Sequence, residues 1–165
     1  MTKLSDATRN KLKTISTATV ATALYKRGFR VQCIQDVHPL SPDQPTLVGE
    51  AFTLRYMPAR EDLNRIDVFR DRSHPQRKAI EINVPIGCGD APVFPGDVIL
   101  GDSDGVIVIP AHLADEIADE TFEMTAFEDF VSEEVHKGRG IFGLYPTTDE
   151  QTLKDFAAWR KKMGR

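Results

Sequence analysis

Pro-Gly-Asp-Val-Ile-Leu-Gly-Asp-Ser-Asp-Gly-Val-Ile-Val-Ile-Pro, residues 95–110, holds two apolar runs on either side of an Asp/Gly-rich segment. β-Branched residues that flank such a segment predict a β-hairpin. The runs, residues 98–100 and 106–109, are continuous rather than alternating, so we expect both faces of each strand to be covered. Pro95 and Pro110 bracket the unit, where a missing N–H does least harm to a sheet. We therefore expect this hairpin to be the centre of the core.

Asp102 and Asp104 lie in the predicted turn of this hairpin. One interpretation is that they bind a cation, because Asp-x-Asp-Gly resembles the start of a calcium loop. The remaining acidic ligands of that loop are missing, however, and the flanking segments are strands. The other interpretation is a plain turn, in which Asp bonds to nearby backbone N–H groups and Gly accepts a positive φ. Turn chemistry favours the second interpretation.

The composition is that of one globular domain, with 165 residues, of which 41% are hydrophobic and 28% charged. A net charge of −4 gives no support for nucleic-acid binding, which requires a basic face. No apolar run approaches the length of a membrane span, and the N-terminus lacks the apolar stretch of a signal peptide. Cys33 and Cys88 form no Cys-x-x-Cys pair. They predict reduced cysteines in a cytoplasmic protein. From the charge and the lack of a long apolar run, we expect no nucleic-acid partner and no membrane partner.

Two short helices are predicted near the N-terminus. Ser5 or Asp6 can cap the first, and Ser16 or Thr17 can cap a second that stops at Gly28. These capping residues place both helices before the strand-forming part of the chain.

A longer helix is predicted over residues 111–137, with an apolar face wider than one sheet contact needs. This face could pack on the sheet and also on another subunit. The opposite face is acidic, which normally indicates solvated surface. Its carboxylates are Asp115, Asp119, Glu123, Glu133 and Glu134. Thr148, with Gln151 three residues later, forms a capping box for a last helix.

The segment between the helices predicts strands and one short helix. Residues 31–37 and 47–56 have strand composition. Pro75 suits the first turn of a short helix over residues 75–80.

Residues 58–81 form the most charged part of the chain, and their mixed signs usually indicate solvated surface. The functional alternative is that Arg55 or Arg60 holds a substrate carboxylate. A planar guanidinium can do so with two hydrogen bonds.

Spacing alone identifies no active site. The four histidines lack metal-ligand spacing, and there is no Gly-x-Ser-x-Gly elbow and no phosphate loop. The Gly-Cys-Gly of residues 87–89 lacks the third glycine of a dinucleotide fingerprint. From the residues alone, the chain is an α/β domain with no self-evident catalytic centre.

Residues 16–24, Ser-Thr-Ala-Thr-Val-Ala-Thr-Ala-Leu, and residues 95–110 together resemble the RraA-like family. That family contains regulators of ribonuclease activity and metal-dependent 4-hydroxy-4-methyl-2-oxoglutarate aldolases. Residues 51–62, 82–89 and 141–146 resemble a longer bacterial branch of it. The resemblance implies an α/β fold, a swivelling β/β/α domain with flanking N- and C-terminal helices. It implies one domain over residues 1–165, with helices in 5–28, the sheet region in 31–110, and helices in 112–137 and 148–163.

The resemblance also implies a chemistry. The enzymes of this family bind magnesium or manganese, hold a pyruvoyl group and stabilise an enolate while a carbon–carbon bond breaks. A divalent cation suits this role because it polarises the keto oxygen and offsets the enolate charge. By the same resemblance, we expect a homotrimer with sites between subunits and a small 2-oxo acid as substrate.

The chain departs from the family pattern in its middle. The Gly-Gly-x-Arg-Asp motif, which carries the family's metal-binding Asp and substrate-binding Arg, is absent. Residues 74–81 pass directly into residues 82–85, whereas in the longer branch these pieces flank a block of strands and helices. The resemblance therefore predicts a domain shortened in the middle, with weak or no aldolase or decarboxylase activity. A remaining metal site would have to recruit Asp90, Asp97, Asp102 or Asp104.

Two other hypotheses remain open. The chain could be a non-catalytic protein that binds a partner through its acidic helix face or its oligomer surface, as the ribonuclease regulators do. Alternatively, the shortened chain could fold poorly, because the loss of central strands exposes sheet edges and apolar surface.

Overall fold

The computed structural model describes residues 3–41, 43–58, 60 and 77–164. The helices are α1 (Asp6–Leu12), α2 (Thr17–Lys26), α3 (Ala114–His136) and α4 (Glu150–Met163), and a 3-10 turn (Ala111–Leu113) precedes α3. The strands are β1 (Cys33–Ile34), β2 (Leu47–Glu50), β3 (Leu54–Pro58), β4 (Arg77–Ile82), β5 (Ile86–Cys88), β6 (Ala91–Val93), β7 (Val98–Gly101) and β8 (Val106–Ile109). The fold is mixed α/β, as predicted.

The hairpin of residues 95–110 is the centre of the main sheet. β7 and β8 pair antiparallel, and the strand order is β1-β8-β7-β2. Leu100 and Ile107 are fully buried and pack with the helices. Val108, on the other face, packs with Ala91 and Val93 of the β5–β6 hairpin. The prediction that both faces are covered is therefore confirmed.

The two N-terminal helices begin where their caps predict. Ser5 Oγ accepts a hydrogen bond from the Thr8 N–H, and Ser16 Oγ accepts one from the Thr19 N–H, both at 3.1 Å. Gly28 follows α2 with φ +91°, the left-handed conformation that ends many helices. Both helices pack against α3, and α2 also contacts β8.

The cap of the last helix was predicted one residue too early. The N-cap is Asp149 rather than Thr148, and its carboxylate accepts a hydrogen bond from the Gln151 N–H at 3.1 Å. An Asp side chain reaches the same donor that a capping box would have served.

The strand prediction for residues 31–37 is wrong in extent. The strand in this range is Cys33–Ile34, which pairs with β8, and the Gln32 carbonyl accepts a further hydrogen bond from the Val108 N–H at 2.8 Å. Asp36 adopts φ +57° and turns the chain away from the sheet edge.

The strand predicted over residues 47–56 is two strands in two different sheets. Ala51 exchanges backbone hydrogen bonds with the loop before β7, donating to Asp97 O and accepting from Gly96 N. Beyond this contact the chain leaves the main sheet, and β3 pairs with β4.

The short helix predicted over residues 75–80 is also wrong. Residues Arg77–Ile82 form β4, which pairs antiparallel with β3 from Leu54 opposite Ile82 to Pro58 opposite Arg77. Cross-strand pairing overrides the local helix signal. Pro75 lies outside the described residues, as does most of the charged segment over residues 58–81.

Candidate functional site

A groove of about 650 Å³ lies between the β3–β4 ribbon and the β5–β6 hairpin. Its lining includes apolar side chains and one charged side chain, that of Arg55. The residues around it are Leu54, Arg55, Tyr56, Pro85, Ile86, Gly87, Cys88, Pro92 and Phe94. A concavity that combines apolar side chains with a few polar groups is the usual form of a small-molecule site. A guanidinium in such a site suits an anionic ligand.

Two fixed acceptors hold the Arg55 guanidinium at the groove wall. One terminal nitrogen donates to the Glu81 carboxylate at 2.5 Å, and the other donates to the Pro85 carbonyl at 2.8 Å. The Arg55 side chain is 44% exposed. A guanidinium has five N–H donors, so these bonds leave donors for an incoming carboxylate.

Thr53 closes the base of the ribbon beneath Arg55. Its side chain is 2% exposed, and its hydroxyl donates to the Val84 carbonyl at 2.5 Å. Its own carbonyl accepts a hydrogen bond from the Asn83 N–H at 2.7 Å. Asn83 adopts φ +56°, which asparagine tolerates better than most residues. Sequence analysis missed Thr53, because a threonine within a strand pattern gives no signal of such a bond.

Of the two arginines predicted to bind substrate, the structure brings one to the groove. Arg55 lines it, whereas Arg60 lies beyond the end of β3 and is not part of the lining. The role of Arg55 as a carboxylate ligand stays a prediction.

The Asp102 carboxylate lies at the start of α2. It accepts hydrogen bonds from the Thr17 N–H at 2.7 Å, the Thr17 hydroxyl at 2.8 Å and the Asp104 N–H at 2.9 Å. Burial raises the pKa of Asp102, but hydrogen bonds from Thr17, Asp104 and Gly105 outweigh it, so the net pKa is lowered. Asp102 therefore links the hairpin turn to the N-terminus of a helix, where a negative charge is favourable.

The other candidate carboxylates are dispersed. Asp97 is buried and accepts hydrogen bonds from the Phe94 N–H at 2.9 Å and the Ala111 N–H at 3.0 Å. It therefore connects the segment before β7 with the segment after β8. Asp90 and Asp104 are exposed.

The donor set does not fit a divalent metal ion. In the part of the chain that the structure describes, no three His, Cys, Asp or Glu side chains are placed to hold a metal together. Both Asp102 oxygens already accept hydrogen bonds. Magnesium and manganese prefer several oxygen ligands around one position.

Comparison with known proteins adds sequence and fold evidence. The family model for RraA-like proteins, described as Aldolase/RraA, matches residues 62–108. Over 29 residues, the chain is 69% identical to a protein of Halalkalibacterium halodurans named "Putative 4-hydroxy-4-methyl-2-oxoglutarate aldolase". That match covers 18% of this chain and 14% of the relative.

Two solved structures share the fold. An uncharacterized protein from Pseudomonas syringae pv. tomato has a TM-score of 0.74 at 16% identity, covering 88% of this chain and 96% of that one. RraAS2 of Streptomyces coelicolor is described as an unusual member of the RNase ES inhibitor RraA protein family. It has a TM-score of 0.68 at 18% identity, covering 80% of this chain and all of that one.

The chain is therefore similar to RraA-like proteins in sequence over residues 62–108 and in its fold. It shares a short segment with the curated relative, since that match spans 14% of the relative's length. The activity, substrate and partners of the relative are said of that protein and come to this chain as proposals.

The acidic row on α3 forms ion pairs and hydrogen bonds within the molecule. Asp119 pairs with Lys11 at 2.5 Å, Glu123 with Arg160 at 2.5 Å, and Glu134 with Lys137 at 2.9 Å. Asp115 accepts a hydrogen bond from the Thr8 hydroxyl, and Glu133 accepts one from the indole of Trp159. The row therefore contacts α1 and α4 and is not simply solvated surface.

None of the helices described in this structure is long and apolar enough to cross a membrane.

Proposed function

We propose that this protein binds a small 2-oxo acid in the Arg55 groove and has little or no carbon–carbon lyase activity. The family relationship suggests the ligand class, since its enzymes act on pyruvoyl compounds as aldolases or decarboxylases. The groove supplies a cation for the carboxylate and apolar walls for the carbon chain. We also propose, following the family, a cytoplasmic homo-oligomer.

The observation that carries this proposal is the Arg55 guanidinium at the wall of a groove of about 650 Å³. Glu81 and the Pro85 carbonyl fix its plane before a ligand arrives. A pre-positioned guanidinium loses less conformational entropy when it binds a carboxylate with two parallel hydrogen bonds. Glu81 reduces the local positive charge, so we expect weak, millimolar-range binding rather than tight binding.

Weak or absent turnover follows from the donor set. The family's Arg-Asp motif is missing from the sequence, and the described residues do not gather three metal ligands. Without a bound cation, an enolate forming in the groove would have Arg55 as its cationic neighbour among the lining residues. Our proposal therefore includes no metal-dependent step.

The binding test uses pyruvate and oxaloacetate, followed by isothermal titration or ligand-observed magnetic resonance. We expect Arg55→Gln to weaken binding about tenfold or more, because it removes a charge-assisted contact. Arg30→Gln is the matched control, since Arg30 is also exposed and donates to two backbone carbonyls. Equal affinity in the wild type and Arg55→Gln would contradict the proposed site.

The turnover test is oxaloacetate decarboxylation with magnesium and then with a chelator. We expect no magnesium-dependent rate from a sample that still melts cooperatively. Magnesium-dependent turnover would overturn the inactive part of the proposal, and Asp102→Asn would then show whether the Asp102 turn takes part.

A second candidate function is binding to a ribonuclease as a non-catalytic regulator. The observation that favours it is the apolar surface of the β3–β4 ribbon, where Tyr56, Met57, Ile80 and Ile82 are all 44% exposed or more. The acidic row of α3 is a poor candidate for this contact, because its carboxylates already bond to α1, α4 and the end of α3.

The regulator hypothesis is tested with purified RNase ES and a labelled RNA substrate. Inhibition that is lost in Met57→Ser but kept in Leu40→Ser would support it. Leu40 is a fair control because it is fully exposed and lies in a different loop. An unchanged cleavage rate at excess protein would reject this function.

A further inference from the structure

Phe142 is the most exposed aromatic side chain that the structure records, with 98% of its surface accessible. It lies between Gly140 and Gly143 in the connection from α3 to α4. An aromatic ring held in water is unfavourable, by about 25 cal/mol for each Å² left exposed. A fully exposed phenylalanine at a loop tip therefore suggests a contact that this single chain does not make.

Both ends of this loop are anchored, so Phe142 is presented in a fixed position. At the start, Arg139 donates to Asp155 at 3.1 Å and to the buried Thr152 hydroxyl at 2.6 Å. At the end, Leu144 is 1% exposed and packs with Phe130 and Trp159.

An apolar groove of about 430 Å³ lies next to the same loop, along the last turns of α3. Val131 and Val135 of α3 line it, together with Ile141 and Tyr145 of the loop. Glu128 and His136 of α3 also belong to the lining. Ile141 directly precedes Phe142, so the projecting ring and the groove belong to one continuous patch.

We propose that this patch is a two-fold contact between copies of the chain, in which Phe142 of each copy enters the α3 groove of the other. A patch that contains both a projection and a recess offers two copies a reciprocal contact. Such a patch satisfies two-fold symmetry, because each copy offers the same surface to the other. A foreign partner would need to supply its own projection and would leave Phe142 exposed.

The exposed apolar area approaches the size that such a contact needs. Phe142 is 98% exposed, Ile141 and Tyr145 are each 48% exposed, and Val135 is 40% exposed. Since a large aromatic side chain buries roughly 150–250 Å², these four side chains would bury on the order of 400–500 Å² in each copy. The pair would therefore bury about 900 Å² of apolar side chain, close to the roughly 1,000 Å² of a specific interface before a polar rim is included.

The test is the mass of the intact protein as a function of concentration, by analytical ultracentrifugation. We expect the largest assembly of the wild type to lose half of its mass in Phe142→Ser, whether its unit is one chain or a larger oligomer. Leu40→Ser is the matched control, since Leu40 is completely exposed and lies far along the chain. It should leave the mass unchanged.

A second variant addresses the groove rather than the ring. Val135→Asp puts a charge in the recess at a position that is already 40% exposed, so the fold should tolerate it. We expect it to halve the mass as well, with a thermal melt like that of the wild type. A wild type that is monomeric at all concentrations, or one whose mass neither variant changes, would overturn the proposal. Concentration-dependent association that is lost in both variants and kept in Leu40→Ser would support it.

Discussion

The β7–β8 hairpin of the main sheet and the β3–β4 ribbon are both antiparallel pairs, but they differ in what covers them. In the hairpin β7–β8, Leu100, Ile107 and Ile109 are completely buried, with helices on one face and the β5–β6 hairpin on the other. In the ribbon, every described side chain of β3 is exposed, and Ile82 is 64% exposed. The β7–β8 hairpin therefore stabilises the fold, whereas the surface of the β3–β4 ribbon is available to ligands and partners.

The largest expected effect comes from the buried side of this comparison. Leu100→Ala should lower the free energy of unfolding by about 2–5 kcal/mol, because it removes a fully buried side chain and leaves a cavity. Ile82→Ala in the ribbon should change it by less than about 0.5 kcal/mol. Urea denaturation of the three proteins measures both. Comparable losses would mean that the ribbon is covered in solution and that the contrast is wrong.

The next effect concerns Asp102, which connects the core hairpin to α2. Asp102→Asn should cost about 1–2 kcal/mol, because an amide accepts the Thr17 hydrogen bonds less well than a carboxylate does at a helix N-terminus. Asp104→Asn, in the same turn and exposed, is the matched control. Denaturation at neutral pH compares the two variants, and equal losses would contradict the assigned role.

The same carboxylate predicts a pH dependence. The pKa of Asp102 is lowered in the folded protein, so its stabilising contribution is present above the unfolded pKa of about 3.9. That contribution is lost as the pH falls through the folded pKa. The stability difference between the wild type and Asp102→Asn should therefore be constant near neutral pH and shrink below about pH 4. A difference that does not shrink in acid would show that the cap does not depend on charge.

The sequence predicts the covered part of the molecule better than the exposed part. The Pro95–Pro110 hairpin and the Ser5 and Ser16 caps depend on local residues, namely apolar runs and capping side chains. These local signals agree with the tertiary contacts, so they are confirmed. The resemblance to RraA-like proteins likewise anticipates the α/β fold.

The ribbon was mispredicted because its structure depends on pairing between distant residues. Pro75 suits the first turn of a helix, yet residues 77–80 pair with β3. The groove combines Arg55 with Pro85, thirty residues away. The bond from Thr53 to Val84 has a similar span. No periodicity in the sequence records such partners, so Arg55 was one of two candidates and Thr53 was not one at all.

A smaller effect is expected at the base of the ribbon. Thr53→Val keeps the shape of the side chain but removes the hydroxyl that donates to the Val84 carbonyl. Because this leaves an acceptor without its donor, the free energy of unfolding should fall by about 1–2 kcal/mol. Because Arg55 also bonds to Pro85, next to Val84, pyruvate affinity should fall a few-fold. Thr14→Val is the control, since the exposed Thr14 makes the same kind of bond to the Lys11 carbonyl. A loss of stability with unchanged affinity would separate the ribbon base from the site.

The smallest effect on stability is expected for Glu81→Gln. The Arg55–Glu81 pair is exposed on both sides, at 44% and 45%, and such pairs contribute about 0–1 kcal/mol to stability. Removing the charge of Glu81 should therefore leave the denaturation midpoint nearly unchanged. It should also remove a carboxylate that competes with the ligand for Arg55, so pyruvate should bind a few-fold more tightly, with the gain decreasing as salt screens the charges. Titrations at low and high ionic strength, with Glu50→Gln as a control at a distant arginine pair, measure this gain. If Glu81→Gln weakens binding instead, then Glu81 positions the guanidinium more than it competes for it, and the groove is organised as a pair of charges rather than as a single cation.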